Sequence, residues 1–107
     1  DTITAISGSG PAYVFYFVEV LSEIGMHEGL SKKDAKALAL ETVVGSARLL
    51  EISNIDPKVL KKNVTSPGGT TEAGLEILES KDYGLYDLLS RTVDAAKNRA
   101  LYLNSKG

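Results

Sequence analysis

The chain has 107 residues, 43% hydrophobic and 24% charged, with a formal charge of −2 and no cysteine. That composition suits one globular domain with a modest core. It excludes disulfides and thiolate chemistry, agrees with a cytosolic (cytoplasmic) setting, and gives no electrostatic case for binding nucleic acid or an acidic membrane surface.

Residues 1–7 alternate polar and apolar side chains and predict a short strand or an extended lead-in. Gly8-Ser9-Gly10 breaks that pattern. Pro11 suits a first helical turn, where its missing N–H costs nothing, and a helix is predicted from Pro11 to about Glu28. Val14, Phe15, Val18 and Leu21 line one face, and Tyr13, Phe17, Val20 and Ile24 a second. A helix with two apolar faces needs two layers of neighbours; in a chain this short, one layer can come from another subunit. The apolar run from Pro11 to Leu21 is interrupted by Glu19 and is too short to span a membrane. No basic leader precedes a signal-like segment. The chain begins with Asp1 rather than Met, so it reads as a piece of something longer.

Gly29 stops the first helix. Ser31 is a good N-cap, with Asp34 where a capping-box acid would stand, and a long second helix is predicted over 32–52. Ala35, Ala37, Ala39, Gly45, Ser46 and Ala47 are small enough for close helix–helix approach. Asp56-Pro57 combines a cap with an N1 proline and predicts a short helix over 57 to about 64. A turn at Ser66–Thr71 leads into a fourth helix, about Thr71 to Ser80, with Leu75 and Leu78 inward. Lys81–Gly84 turns the chain into a last helix, about 85–103, carrying Leu85, Leu88, Leu89, Val93, Ala96 and Ala100. The expected fold is all-α, about five helices in a single domain over residues 1–107.

The most informative segment is Ser66-Pro67-Gly68-Gly69-Thr70-Thr71. Gly68 and Gly69 allow positive φ and close backbone approach to a ligand, and Pro67 stiffens the way in. Successive N–H groups in such a turn, followed by a helix start, form a small anion site. The hydroxyls of Ser66, Thr70 and Thr71 stand ready to orient what binds. No lysine follows the glycines, so this is not a triphosphate loop; a small carboxylate fits better. The alternative is a helix connection that needs two glycines for geometry alone.

Other features carry less. Gly8-Ser9-Gly10-Pro11 imitates a dinucleotide fingerprint, but the third glycine falls at Tyr13 and Pro11 removes an N–H from the helix terminus. It stays a candidate tight turn near a ligand or partner. His27, the only histidine, has no metal partner legible in sequence. Glu72 and Glu76 fall one turn apart and read as a solvated helix face, with Glu72 suited to the helix dipole. Lys32, Lys33 and Lys36, and Lys58, Lys61 and Lys62, read as exposed basic clusters.

Two motifs together carry a resemblance. Ser7-Gly8-Ser9-Gly10-Pro11-Ala12-Tyr13 opens the first long helix, and Val64-Thr65-Ser66-Pro67-Gly68-Gly69-Thr70-Thr71 opens the fourth. In this order and in an all-helical context, the chain closely resembles the C-terminal domain of Δ1-pyrroline-5-carboxylate reductase over essentially its whole length. The resemblance implies an oxidoreductase that reduces 1-pyrroline-5-carboxylate, a cyclic imine, to L-proline with NADPH or NADH. It also implies an interleaved homodimer, with higher oligomers built from dimers, and an N-terminal Rossmann domain absent from this sequence. Without that domain the chain is expected to be inactive.

Residue by residue, the resemblance implies that the turn comprising Ser66, Gly68, Gly69 and Thr70 binds the substrate carboxylate. The Gly69 and Thr70 amides and the Ser66 hydroxyl would hold it. Thr71 is the implied catalytic residue, its hydroxyl meeting the ring nitrogen. Ser9, Gly10 and Pro11 are implied cofactor contacts near the nicotinamide. No metal is implied. Two other readings stay open at this point: a non-catalytic helical oligomerisation module, and a reductase-like protein with another imine or a regulatory role.

Overall fold

The computed structural model describes residues 1–106, among which there is no strand. A π-helix at Thr4–Gly8 is followed by α1 (Gly10–His27), α2 (Lys32–Ser53), α3 (Pro57–Asn63), α4 (Thr70–Leu78) and α5 (Leu85–Lys106). The residues group into two compact units. One joins Asp1–Gly10 to the described residues from Lys61 onward, and the other is Pro11–Leu60.

The strand or extended lead-in expected over residues 1–7 is a correction. Thr2 and Ile3 open a helical turn, and Thr4–Gly8 continues it at π spacing. Ser9 N–H donates to the Thr4 carbonyl at 2.8 Å, and Ser7 Oγ donates to the Ile3 carbonyl at 3.0 Å. A strand needs a neighbouring strand for its backbone groups, and the described residues offer none; a helical turn satisfies those groups locally. Ala5 is fully buried where this segment packs on α5, while Ile3 and Ile6 stay exposed. Asn104 Nδ2 donates to Asp1 Oδ1 at 3.2 Å, tying the last turns of α5 to the first residue.

In the unit Pro11–Leu60, local signals set the helix boundaries. Gly29 adopts φ 107° after α1, a backbone that strains any side chain. Asp34 N–H donates to Ser31 Oγ at 3.1 Å, so Ser31 caps α2 as expected. Asn54, in the left-handed region at φ 54°, ends α2. Lys58 N–H donates to Asp56 Oδ1 at 2.8 Å at the start of α3. The small-residue stripe on α2 is used in part. Ala35 and Ala39 are buried, and a Cβ at Gly25 would lie 3.1 Å from Ala35 Cβ, so α1 and α2 approach closely there. Gly45, by contrast, faces open space.

In the other unit, α4 ends at Leu78 rather than Ser80. Leu75 is half-buried as expected, but Leu78 is exposed, because nothing in the chain covers that last position of the helix. Lys61 forms an ion pair with Glu79 instead of standing in a purely solvated cluster. Both partners are largely exposed, so the pair stabilises little. Gly84 is buried, and a Cβ built there would press on the Ser80 carbonyl and come within 2.6 Å of the Leu78 carbonyl. Backbone cannot yield as a flexible side chain can. Gly84→Ala should therefore destabilise the fold by about 2 to 3 kcal/mol, read from the denaturant midpoint; an unchanged midpoint would contradict this crowding.

The core is small. Among the described residues only Ala5, Ala35, Ala39 and Gly84 are buried, and no large side chain is. The chain exposes 8752 Å², against roughly 5,800 Å² for a closed monomer of this mass. Much of that surface is apolar. No residue of α1 is buried, and Phe15, Tyr16 and Phe17 are 71%, 65% and 53% exposed. The two apolar faces predicted for this helix are present, and neither is closed by the chain itself.

Candidate functional site

The segment 66–71 is built from a tight turn and a helix start. Gly69 N–H donates to the Ser66 carbonyl at 3.0 Å, with Pro67 and Gly68 between them and Gly68 at φ 74°. These are the features of a type II turn, which favours proline at its second position and requires positive φ at its third. The two glycines are thus needed for different reasons. Only Gly68 uses left-handed backbone. Gly69 is extended, at φ −88° and ψ −177°, and a Cβ there would crowd the Ser66 carbonyl oxygen at 3.1 Å. Of the two freedoms the sequence offers at these glycines, Gly68 uses the positive φ and Gly69 the close approach of backbone.

Gly69 is also the N-cap of α4, and it has no side chain to accept a hydrogen bond from the first turn. Most helices fill that place with Ser, Thr, Asp or Asn. Here the amides of Thr70, Thr71 and Glu72 have no partner among the described residues. Orphan N–H groups at the positive end of a helix dipole suit an anion. The resemblance implies carboxylate donors at the Gly69 and Thr70 amides. In the fold the turn itself consumes the Gly69 amide, and the open donors are those of Thr70, Thr71 and Glu72. The Gly68 amide is engaged too, donating to Glu72 Oε1 at 3.0 Å.

That bond also revises the reading of Glu72. Glu76 is exposed, as expected of a solvated face, but Glu72 is half-buried and closes the turn. The signal was present in the sequence: an acid three residues after an N-cap reaches back to the residues before the helix. The hydroxyls of Ser66, Thr70 and Thr71 make no hydrogen bond among the described residues, and all three residues are exposed. The neighbouring Thr65 differs, its Oγ1 donating to the Lys61 carbonyl at 2.5 Å.

The segment 8–11 is not the tight turn that Gly8-Ser9-Gly10-Pro11 suggested. It is helical backbone on both sides of Ser9, which itself sits at φ −86° and ψ −22° with its N–H spent on Thr4. Ser9 and Gly10 belong to the same compact unit as the turn at 66–71, and Pro11 to the other. Ser9 and Gly10 are half-buried and Pro11 is exposed. A Cβ at Gly10 would meet nothing within 4 Å. His27 is exposed. Among the described residues no group of three or more acidic or histidine side chains is placed to hold a metal, and no helix is long and apolar enough to cross a membrane.

Comparison with known proteins gives this geometry its context. Residues 1–103 match the family described as pyrroline-5-carboxylate reductase dimerisation. The chain belongs to that family. It is 44% identical over 99 residues to pyrroline-5-carboxylate reductase of Aquifex aeolicus, covering 91% of this chain and 37% of that one. The fold is similar to a pyrroline-5-carboxylate reductase from Coxiella burnetii, with TM-score 0.87 and 43% identity over 95% of this chain and 37% of that one. It is also similar to the Plasmodium falciparum pyrroline carboxylate reductase solved with NADP bound, with TM-score 0.84 and 40% identity over 92% of this chain and 37% of that one. The chain thus spans little more than a third of the relatives it matches. As a dimerisation-family member it has the all-α fold that its sequence predicted.

Proposed function

We propose that this chain is the substrate-binding and dimerisation part of an enzyme that reduces 1-pyrroline-5-carboxylate to L-proline with NADPH or NADH. A Rossmann domain outside this sequence completes it. The carrying observation is the start of α4: an N-cap without a side chain, three free amides and three free hydroxyls, in a chain of this family. The absence of cysteine fits a reducing compartment such as the cytosol.

In this reading the substrate carboxylate takes the amides of Thr70 and Thr71 and the hydroxyl of Ser66. Gly68 and Gly69 shape the turn that presents them. The Thr71 hydroxyl meets the ring nitrogen, its oxygen accepting from the N–H of the protonated imine, and sets the plane of the C=N bond. The open backbone at Gly10, flanked by Ser9 and Pro11, fits the nicotinamide end of the cofactor, which supplies the hydride when bound. No strong acid is needed, since a protonated imine is already electrophilic. The protein contributes position and fixed dipoles, which can supply a large part of a rate enhancement.

Dimerisation follows from the uncovered faces of α1. The surface in excess of a closed monomer, about 3,000 Å², is of the size that obligate dimers bury, and a second copy of the chain is the occupant the family implies. One observation favours a purely architectural role for the glycine turn: internal bonds consume the amides of Gly68 and Gly69. That role leaves the free hydroxyls of Ser66, Thr70 and Thr71 without a purpose. Titrating L-proline or a cyclic ether carboxylate into the chain, followed by amide NMR, separates the two. Binding at the site moves the Thr70 and Thr71 resonances first; shifts confined to other elements would put the carboxylate elsewhere.

A further inference from the structure

We propose that Glu72 is a positioning residue for the substrate carboxylate, acting through the peptide between Pro67 and Gly68; this rests on the site reading above. The Gly68 N–H belongs to the central peptide of the Ser66–Gly69 turn, the one whose orientation separates a type II turn from a type I turn. Gly68 tolerates either orientation, because glycine accepts both signs of φ. The Pro67–Gly68 pair alone therefore leaves the choice weakly determined. Glu72 Oε1, 3.0 Å from the Gly68 nitrogen, locks the central peptide in the orientation seen. A charged acceptor makes that bond stronger than a neutral one.

Two consequences reach the ligand. The lock fixes where Gly69 enters α4, and so where the Thr70 and Thr71 amides aim. It also withdraws the Gly68 amide from competition. An incoming carboxylate then meets the open amides of the first helical turn, Thr70, Thr71 and Glu72, beside the Thr71 hydroxyl, and not a further donor upstream of them. Glu72 touches neither substrate nor cofactor in this arrangement. Glu72 is half-buried, and neither of the ion pairs among the described residues involves it.

The test uses the full-length reductase that carries this domain. Glu72→Ala should raise KM for the imine about tenfold while KM for the nicotinamide cofactor stays unchanged. Glu72→Gln, whose amide oxygen can accept the same bond, should return the imine KM to within about twofold of the parent. In amide hydrogen exchange, Gly68 should lose protection in the alanine variant and keep it in the glutamine variant, with Ala73–Ile77 unchanged in both. If the alanine variant does not fold, Glu72→Ser, too short to reach Gly68, takes its place. An alanine or serine variant with parental KM overturns the proposal, as does a glutamine variant as impaired as alanine. Normal imine kinetics in a Thr71→Ala enzyme would instead remove the site reading itself; impairment there beside an unaffected Glu72→Ala removes only the role of Glu72.

Discussion

Thr71→Ala in the full-length reductase should lower kcat/KM for the imine by about a hundredfold or more, the scale of removing one well-aimed hydrogen-bonding group from a transition state. Stability offers no competing explanation. Thr71 is exposed, its hydroxyl has no partner among the described residues, and alanine is the better helix former in the first turn of α4. The fold should survive, with an unchanged melting temperature, while kcat falls. Thr71→Ser keeps a hydroxyl on the same carbon and should retain most of the activity. L-proline binding should weaken less than kcat/KM, because the carboxylate contacts at Thr70 and Ser66 remain. Near-parental kcat/KM in Thr71→Ala would remove this residue from the mechanism.

The second large effect concerns assembly. Light scattering should report a dimer of the chain at micromolar concentration, and the double variant Phe15→Glu, Phe17→Glu should weaken that dimer by at least about a thousandfold. Phe15 and Phe17 are 71% and 53% exposed in the single chain, so neither substitution disturbs packing within it. Against a second copy each ring contributes roughly 2 to 3 kcal/mol of apolar burial, and a glutamate in its place leaves a charge without a partner. Folding should suffer too. With three alanines and one glycine as the only buried residues among those described, the single chain has little core of its own, so the variant should melt without a sharp transition. A parental chain that is a stable, well-folded monomer at that concentration would contradict the assembly.

Helix boundaries were legible in the sequence because their chemistry is local. Ser31 and Asp34 face each other across one turn. Gly29 and Asn54 meet the backbone demands of helix ends, and Asp56 caps α3 from the next residue. Residues 1–7 misled for the same reason in reverse. Their alternation is a pattern that a strand or a helical turn can carry, and the choice between them was made by α5, a hundred positions along, where Ala5 finds its cover.

The site divides along the same line. Pro67 and Gly68 announce a tight turn before any packing is considered, and the hydroxyl residues around it announce a polar ligand. Their sequence also determines that α4 begins here and that α1 carries apolar side chains on two sides. Which amides remain free was decided only by the fold. The turn closes on the Gly69 N–H and the Glu72 side chain closes on the Gly68 N–H, which leaves the Thr70, Thr71 and Glu72 amides open. Tertiary structure likewise selected Ala35 and Ala39 for burial while leaving Gly45 open, and left Phe15 and Phe17 bare. Propensity and capping act between neighbours along the chain, whereas burial and the use of each hydrogen-bond donor depend on which groups the folded backbone brings alongside.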